Sequence, residues 1–152
     1  MKKLLLLISV VFISYFSYSQ EHISINGTAK FSCSQKNGIN TRYGDYVLNV
    51  IIEKEVIKFN TSETQSYQLY SISKKTDKYI IGEDGGDYCF YDVLEKRLYN
   101  IDYFMSRYIT SGYGSGNSEI KEVTLNMMDL LKKGKTQKDV IRHLITQVEY
   151  DF

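Results

Sequence analysis

Residues 78–101 read KYIIGEDGGDYCFYDVLEKRLYNI and decide the class of fold. Runs rich in tyrosine, isoleucine and valine, which favour strands, alternate here with short polar stretches at 83–87 and 94–96. Gly85 and Gly86 supply the positive φ that a tight hairpin turn requires. The segment therefore predicts consecutive antiparallel strands at 78–82, 88–93 and 97–101.

The chain before this segment also has strand patterns. In YVLNVII at 46–52, the residues that would point to either face of a strand are apolar, except Asn49. This predicts a central strand buried on both faces. Asn37-Gly38 is a hairpin signal. Further strands are expected at 22–33, with a break at Gly27, at 56–59 and at 67–73.

Beyond the sheet the hydrophobic period becomes helical. The stretch TSGYGSGNS at 110–118 predicts a flexible connection, since it is rich in glycine and serine. Ser118 is expected to cap a first helix that stops at Gly134, and Thr136 with Asp139 to cap a second. The predicted fold is α+β: an antiparallel sheet of about six to eight short strands at 22–109, then a two-helix hairpin at about 118–149 packed on it.

The N-terminus has the pattern of a secretory signal peptide. Lys2 and Lys3 precede an apolar run that is too short to span a bilayer, and Ser17-Tyr18-Ser19 forms a small-x-small cleavage site. We therefore expect residues 1–19 to be cleaved and residues 20–152 to form one secreted or periplasmic domain. No stable membrane insertion is expected after cleavage.

Charge argues against nucleic acid as a partner. Without Lys2 and Lys3, 17 basic residues (19 − 2) face 18 acidic residues, and the two signs are interspersed. Such a balance gives no basic patch for a phosphate backbone.

The chain contains two cysteines, Cys33 and Cys89. In an exported protein the default expectation is a disulfide, here one that ties the first strands to the central hairpins. Two separate buried thiols are the alternative, and a redox pair is disfavoured because the cysteines lie far apart in sequence.

Tyrosine is unusually abundant, with 14 residues, most of them between 67 and 113. One interpretation is a flat aromatic face that stacks on sugars or peptides. The other is cross-strand packing within a sheet, which this composition favours. The candidate binding residues are Tyr67, Tyr70, Tyr79, Tyr88, Tyr91 and Tyr99.

The sequence contains only weak candidates for a metal-binding or catalytic site. Asp84 and Asp87 flank two glycines and could offer oxygen ligands to calcium, but the spacing of a calcium loop is absent and a hairpin turn explains them. No cofactor motif and no catalytic constellation is present. The expected function is therefore a non-catalytic binding domain that uses a tyrosine-rich face or the helical hairpin, with an unknown protein, glycan or small apolar ligand as partner. A lipocalin-like carrier is the alternative, and a carboxylate-dependent hydrolase is a third hypothesis.

Overall fold

The structure, a computed structural model, describes residues 20–26, 29–35, 38–44, 47–64 and 66–150. These residues form one antiparallel sheet and two C-terminal helices, so the predicted α+β class is confirmed. The strands are β1 (Glu21–Ile25), β2 (Ala29–Ser34), β3 (Gly38–Tyr43), β4 (Leu48–Ile52), β5 (Val56–Thr61), β6 (Gln68–Lys75), β7 (Tyr79–Asp84), β8 (Asp87–Asp92), β9 (Arg97–Phe104) and β10 (Arg107–Gly114). The helices are α1 (Asn117–Lys132) and α2 (Gln137–Tyr150).

The ten described strands follow the order β1-β4-β5-β6-β7-β8-β9-β10-β2-β3. Strands β4 to β10 form an uninterrupted meander, and the β2–β3 hairpin is added beside β10. This is slightly more than the six to eight strands that we expected. Strand β4 was expected to be buried on both faces, but Asn49 and Ile51 on one of its faces are only partly buried. It is second from the edge of the sheet, where only the inner side is fully covered.

The sheet curls so that one face closes on itself. Phe59 on β5 contacts the ring of Tyr113 on β10 at a centroid distance of 6.0 Å, although four strands lie between them in the sheet. Phe59 also stacks on Tyr70 at 5.9 Å. The buried residues of this face, which we call the inner cluster, are Leu48, Val50, Ile52, Ile57, Phe59, Tyr70, Ile80, Cys89, Tyr91, Leu98 and Tyr113. Each large apolar side chain in it stabilises the fold by roughly 1.5–3 kcal/mol relative to exposure.

The helices cover the opposite face of the same strands. Helix α1 packs on β10 and β2, and α2 packs on β8. The residues buried between them, the outer cluster, are Tyr79, Ile81, Tyr88, Phe90, Tyr99, Ile101, Met127, Leu131, Val140, Ile141 and Leu144. Strands β7, β8 and β9 therefore supply alternate residues to two cores, as the period-2 geometry of a strand requires.

The glycine-rich stretch at 110–118 differs from the flexible connection that its composition predicts. It continues the sheet as β10 as far as Gly114. A Cβ atom at Gly112 would lie 2.6 Å from Thr124 Oγ1 and 2.8 Å from Ile120 Cγ2, both on α1. Glycine is thus present because the helix approaches the strand closely.

The helix ends are set by local chemistry. Helix α1 begins after Gly116, which is in the left-handed region at φ 88°, and not at the predicted cap Ser118, whose hydroxyl contacts Glu119 instead. Gly134 ends α1 as predicted, with φ 84°. Thr136 and Asp139 form the predicted capping box of α2: the Asp139 N–H donates to Thr136 Oγ1 at 3.2 Å, and the Thr136 N–H donates to Asp139 Oδ2 at 3.0 Å.

The expected disulfide is absent, and Cys33 and Cys89 are buried free thiols. The register of the sheet aligns Cys33 on β2 with Tyr88, the neighbour of Cys89, on β8. Strands β10 and β9 lie between them, so the two positions are three strand spacings apart. Three strand spacings amount to about 14 Å, twice the roughly 7 Å over which two Cα atoms can be bridged. The two side chains also lie on opposite faces, Cys89 in the inner cluster and Cys33 under α1.

Two further expectations concern residues that the structure does not describe. The signal peptide at 1–19 lies outside the described residues, and so does Asn37 of the predicted β2–β3 turn, although β2 and β3 do pair. Neither described helix is long and apolar enough to cross a membrane.

Candidate binding groove

A groove of about 270 Å³ opens between the helical hairpin and the β8–β9 hairpin. We call it the helix–sheet groove. Its lining residues are Phe90, Asp92, Glu95, Arg97, Tyr99, Glu119, Glu122, Val123, Leu144, Gln147 and Val148. The strands contribute one wall, and the first half of α1 and the last turns of α2 contribute the other.

Asp92 and Arg97 occupy one register pair at the end of the β8–β9 hairpin. Asp92 Oδ1 accepts hydrogen bonds from the N–H groups of Leu94 and Glu95, each at 3.0 Å, so this side chain shapes the turn. The side chain is nevertheless on the groove wall, and the residue is 8% exposed. Burial raises the pKa of the Asp92 carboxyl, and the two backbone N–H groups oppose that shift.

Arg97 is held in place by the connection between β10 and α1. Its Nε donates to the Ser115 carbonyl at 3.0 Å, and its guanidinium lies 3.8 Å from Glu95 Oε2. A Cβ atom at Gly116 would lie 2.7 Å from Arg97 Nη2 and 2.9 Å from Glu119 Oε2. A side chain at position 116 would therefore occupy the space beside the guanidinium and the Glu119 carboxylate.

The apolar part of the groove comes from both layers. Phe90 and Tyr99 are buried on the sheet side, and Val123, Leu144 and Val148 come from the helices. Burial raises the pKa of Tyr99 to about 12, and the neighbouring Arg97 opposes the shift. At neutral pH this hydroxyl is therefore an uncharged polar group beside the apolar side chains of the groove.

The charged lining of the groove is strongly unbalanced. Four carboxylates, from Asp92, Glu95, Glu119 and Glu122, face one guanidinium, from Arg97. Hydrogen bonds from its own backbone N–H and from the Ser118 hydroxyl lower the pKa of Glu119, which keeps it ionised. The groove is consequently a site of negative potential with apolar walls.

The structure disperses the predicted tyrosines over both faces of the sheet. Tyr70 and Tyr91 lie in the inner cluster, and Tyr79, Tyr88 and Tyr99 lie in the outer cluster, all between 0% and 6% exposed. Tyr67 is half-buried in the segment before β6. These rings pack the two cores, and Tyr99 is the one among them that lines the groove.

Asp84 and Asp87 flank the β7–β8 turn, where Gly85 and Gly86 have the positive φ that the hairpin pattern predicts. Asp87 Oδ1 accepts a hydrogen bond from the Tyr103 N–H at 2.7 Å. Within the described ranges, no three His, Cys, Asp or Glu side chains are placed to hold a metal ion.

The described residues of the inner face pack against one another as the inner cluster, and the helices lie on the outer face of the sheet, not across its end. The groove residues Glu95, Arg97, Glu119 and Glu122 were missed by sequence reasoning. Glu119 and Glu122 are three residues apart and so share one face of α1, but nothing in the sequence shows that this face meets the β8–β9 turn.

The chain matches no protein-family model, no curated protein and no solved structure.

Proposed function

We propose that the protein is a non-catalytic binding domain and that the helix–sheet groove is its binding site. The observation that carries the proposal is the groove itself, a recess of about 270 Å³ in which five charged side chains lie beside apolar ones. Small-molecule sites in proteins are concave and use placed polar groups beside apolar surface to orient a ligand. Asp92 and Arg97 are both fixed by backbone hydrogen bonds, so the recess is shaped before a ligand arrives.

The recess lies on the helical hairpin, one of the two surfaces expected from the sequence. The other, a tyrosine-rich face, has less support because its rings are buried. Catalysis also has less support, since the most buried carboxylate of the groove, Asp92, is committed to the backbone of its turn.

Protein-observed NMR with a fragment library tests the binding site. We expect the amide shifts caused by bound fragments to cluster around Asp92, Tyr99, Glu122 and Leu144. Val148→Phe places a ring in the groove and should abolish these shifts. Ile51→Phe, at an equally partly buried position on β4 that does not line the groove, is the matched control and should leave them unchanged. Fragment shifts that map to the inner cluster, or to no common site, would overturn the proposal.

We also propose that the domain acts outside the cytoplasm, on the basis of the signal-peptide pattern at 1–19. N-terminal sequencing of the protein recovered from fractionated cells tests this. Gln20 as the first residue in an envelope or medium fraction supports it, and an intact Met1 or Lys2 terminus in the cytoplasmic fraction contradicts it.

A further inference from the structure

We propose that the ligand of the helix–sheet groove is a small aliphatic amine, with an ammonium group on a short hydrocarbon stem. The inference rests on the proposed function and names the chemical class that this site selects. It follows from the charge, the walls and the size of the groove.

The charge of the groove is complementary to a cation. Four carboxylates line it, and its one guanidinium is already engaged by the Ser115 carbonyl and lies near Glu95. A bound ammonium would therefore meet carboxylates that Arg97 leaves uncompensated. An anionic ligand would meet the repulsion of four carboxylates, of which that of Asp92 is buried and the other three are exposed.

Helix α2 adds to the same potential. Gln147 and Val148 line the groove in the last turn of this helix, and that turn contains no basic residue. The free carbonyl groups at a helix C-terminus carry partial negative charge and favour a nearby cation. At the other wall, the positive end of α1 is already matched by Glu119 in its first turn.

Asp92 gives a third reason. The residue lines the groove and is 8% exposed, and this burial disfavours the charged form of its carboxyl and raises its pKa. A cation placed against a desolvated carboxylate compensates that cost, whereas a neutral ligand would desolvate it further.

The walls and the volume define the rest of the ligand. Val123 and Val148, both partly buried, line the groove beside the buried Leu144 and offer aliphatic surface for a hydrocarbon stem. A volume of about 270 Å³ corresponds to on the order of ten heavy atoms, taking about 30 Å³ for a water-sized group. This suits a free small molecule.

Calorimetric titration of the purified protein with hexylamine, hexan-1-ol and hexanoate tests the inference, since the three share one stem and differ in charge. We expect hexylamine to bind at least about tenfold more tightly than hexan-1-ol, and hexanoate not to bind. Glu122→Gln should weaken hexylamine binding about threefold, and the double variant Glu95→Gln, Glu122→Gln about tenfold, as expected for solvent-exposed charge pairs. Asp129→Asn removes an exposed carboxylate from the same helix outside the groove and should have no effect.

The outcomes separate this inference from the proposed function. Equal binding of the amine and the alcohol, tighter binding of hexanoate, or hexylamine binding that Asp129→Asn weakens as much as Glu122→Gln would overturn the amine assignment. If fragments of other charge still bind and Val148→Phe blocks them, the groove remains the binding site. A groove that binds neither hexylamine nor any fragment would overturn both.

Discussion

The Asp102 carboxylate is the centre of a small polar network at the edge of the inner cluster. It accepts hydrogen bonds from the Tyr70 hydroxyl at 3.2 Å and from Asn100 Nδ2 at 2.8 Å. Burial raises the pKa of Asp102, the hydrogen bond from Asn100 lowers it, and the nearby Asp87 raises it. Asn100 is 1% exposed, and its Oδ1 has no hydrogen-bond partner among the described residues.

This arrangement makes Asp102→Asn a stabilising change at neutral pH. Because the pKa of Asp102 in the folded protein lies above 3.8, its value in the unfolded chain, the folded protein binds the proton more tightly than the unfolded chain does. Its ionisation therefore costs stability as pH rises through the raised pKa. The variant does not ionise, its amide oxygen can still accept from Asn100 Nδ2, and its NH2 group can donate to the Tyr70 hydroxyl oxygen.

Urea denaturation from about pH 4 to about pH 7 measures the effect, and we expect the variant to gain stability relative to the wild type as pH rises. Asp77→Asn, which removes an exposed carboxylate, should show no such gain. A variant that is less stable than the wild type at neutral pH would contradict this account of Asp102.

The two thiols allow a direct test of the cysteine geometry. Cys89 lies fully inside the inner cluster, and burial raises its pKa to about 12. Burial also raises the pKa of Cys33. Because the thiolate is the reactive form, we expect neither thiol to react with a disulfide reagent in the native protein at about pH 8, and both to react after denaturation without reductant. Denatured protein that lacks free thiols would show that the cysteines are bonded.

At the scale of single elements, the start of α2 illustrates how local chemistry defines a boundary. Thr136→Ala removes the hydroxyl that accepts from the Asp139 N–H. We expect it to lower the free energy of unfolding by about 1 kcal/mol, measured by urea denaturation. Thr146→Ala, at an exposed site within α2, should cost less than about 0.5 kcal/mol. Equal losses in the two variants would argue that the capping box does not stabilise α2.

The elements that were predicted well are those whose signals are local. The turn at Gly85-Gly86 and the caps at Gly134 and Thr136 depend on neighbours in sequence, so their residue types reveal them. Strand β10 was missed because Gly112 is explained by the approach of α1, a contact between distant segments. Composition alone cannot separate a glycine that gives flexibility from one that makes room for a neighbouring element.

The candidate groove shows the same limit on the scale of the whole molecule. Arg97 and Glu119 line one groove because α1 folds back across β10 and β2, and the sequence contains no sign of that docking. The predicted bridge between Cys33 and Cys89 was wrong because β9 and β10 lie between β8 and β2. Strand order, and not the number of cysteines, determines whether two of them can meet.

The same strand order implies that the two cores unfold together. Strands β7, β8 and β9 hold residues of the inner and outer clusters alternately, so the helices cannot leave without exposing the reverse side of strands that form the inner cluster. We therefore expect Val50→Ala in the inner cluster and Leu144→Ala in the outer cluster each to cost about 2–4 kcal/mol, and to keep a single unfolding transition. Urea titrations followed by far-UV circular dichroism, which reports the helices, and by near-UV circular dichroism of the buried tyrosines should coincide in both variants. A helical signal that is lost at lower urea than the tyrosine signal would show instead that the helical hairpin is a separate unit laid on a sheet that is stable without it.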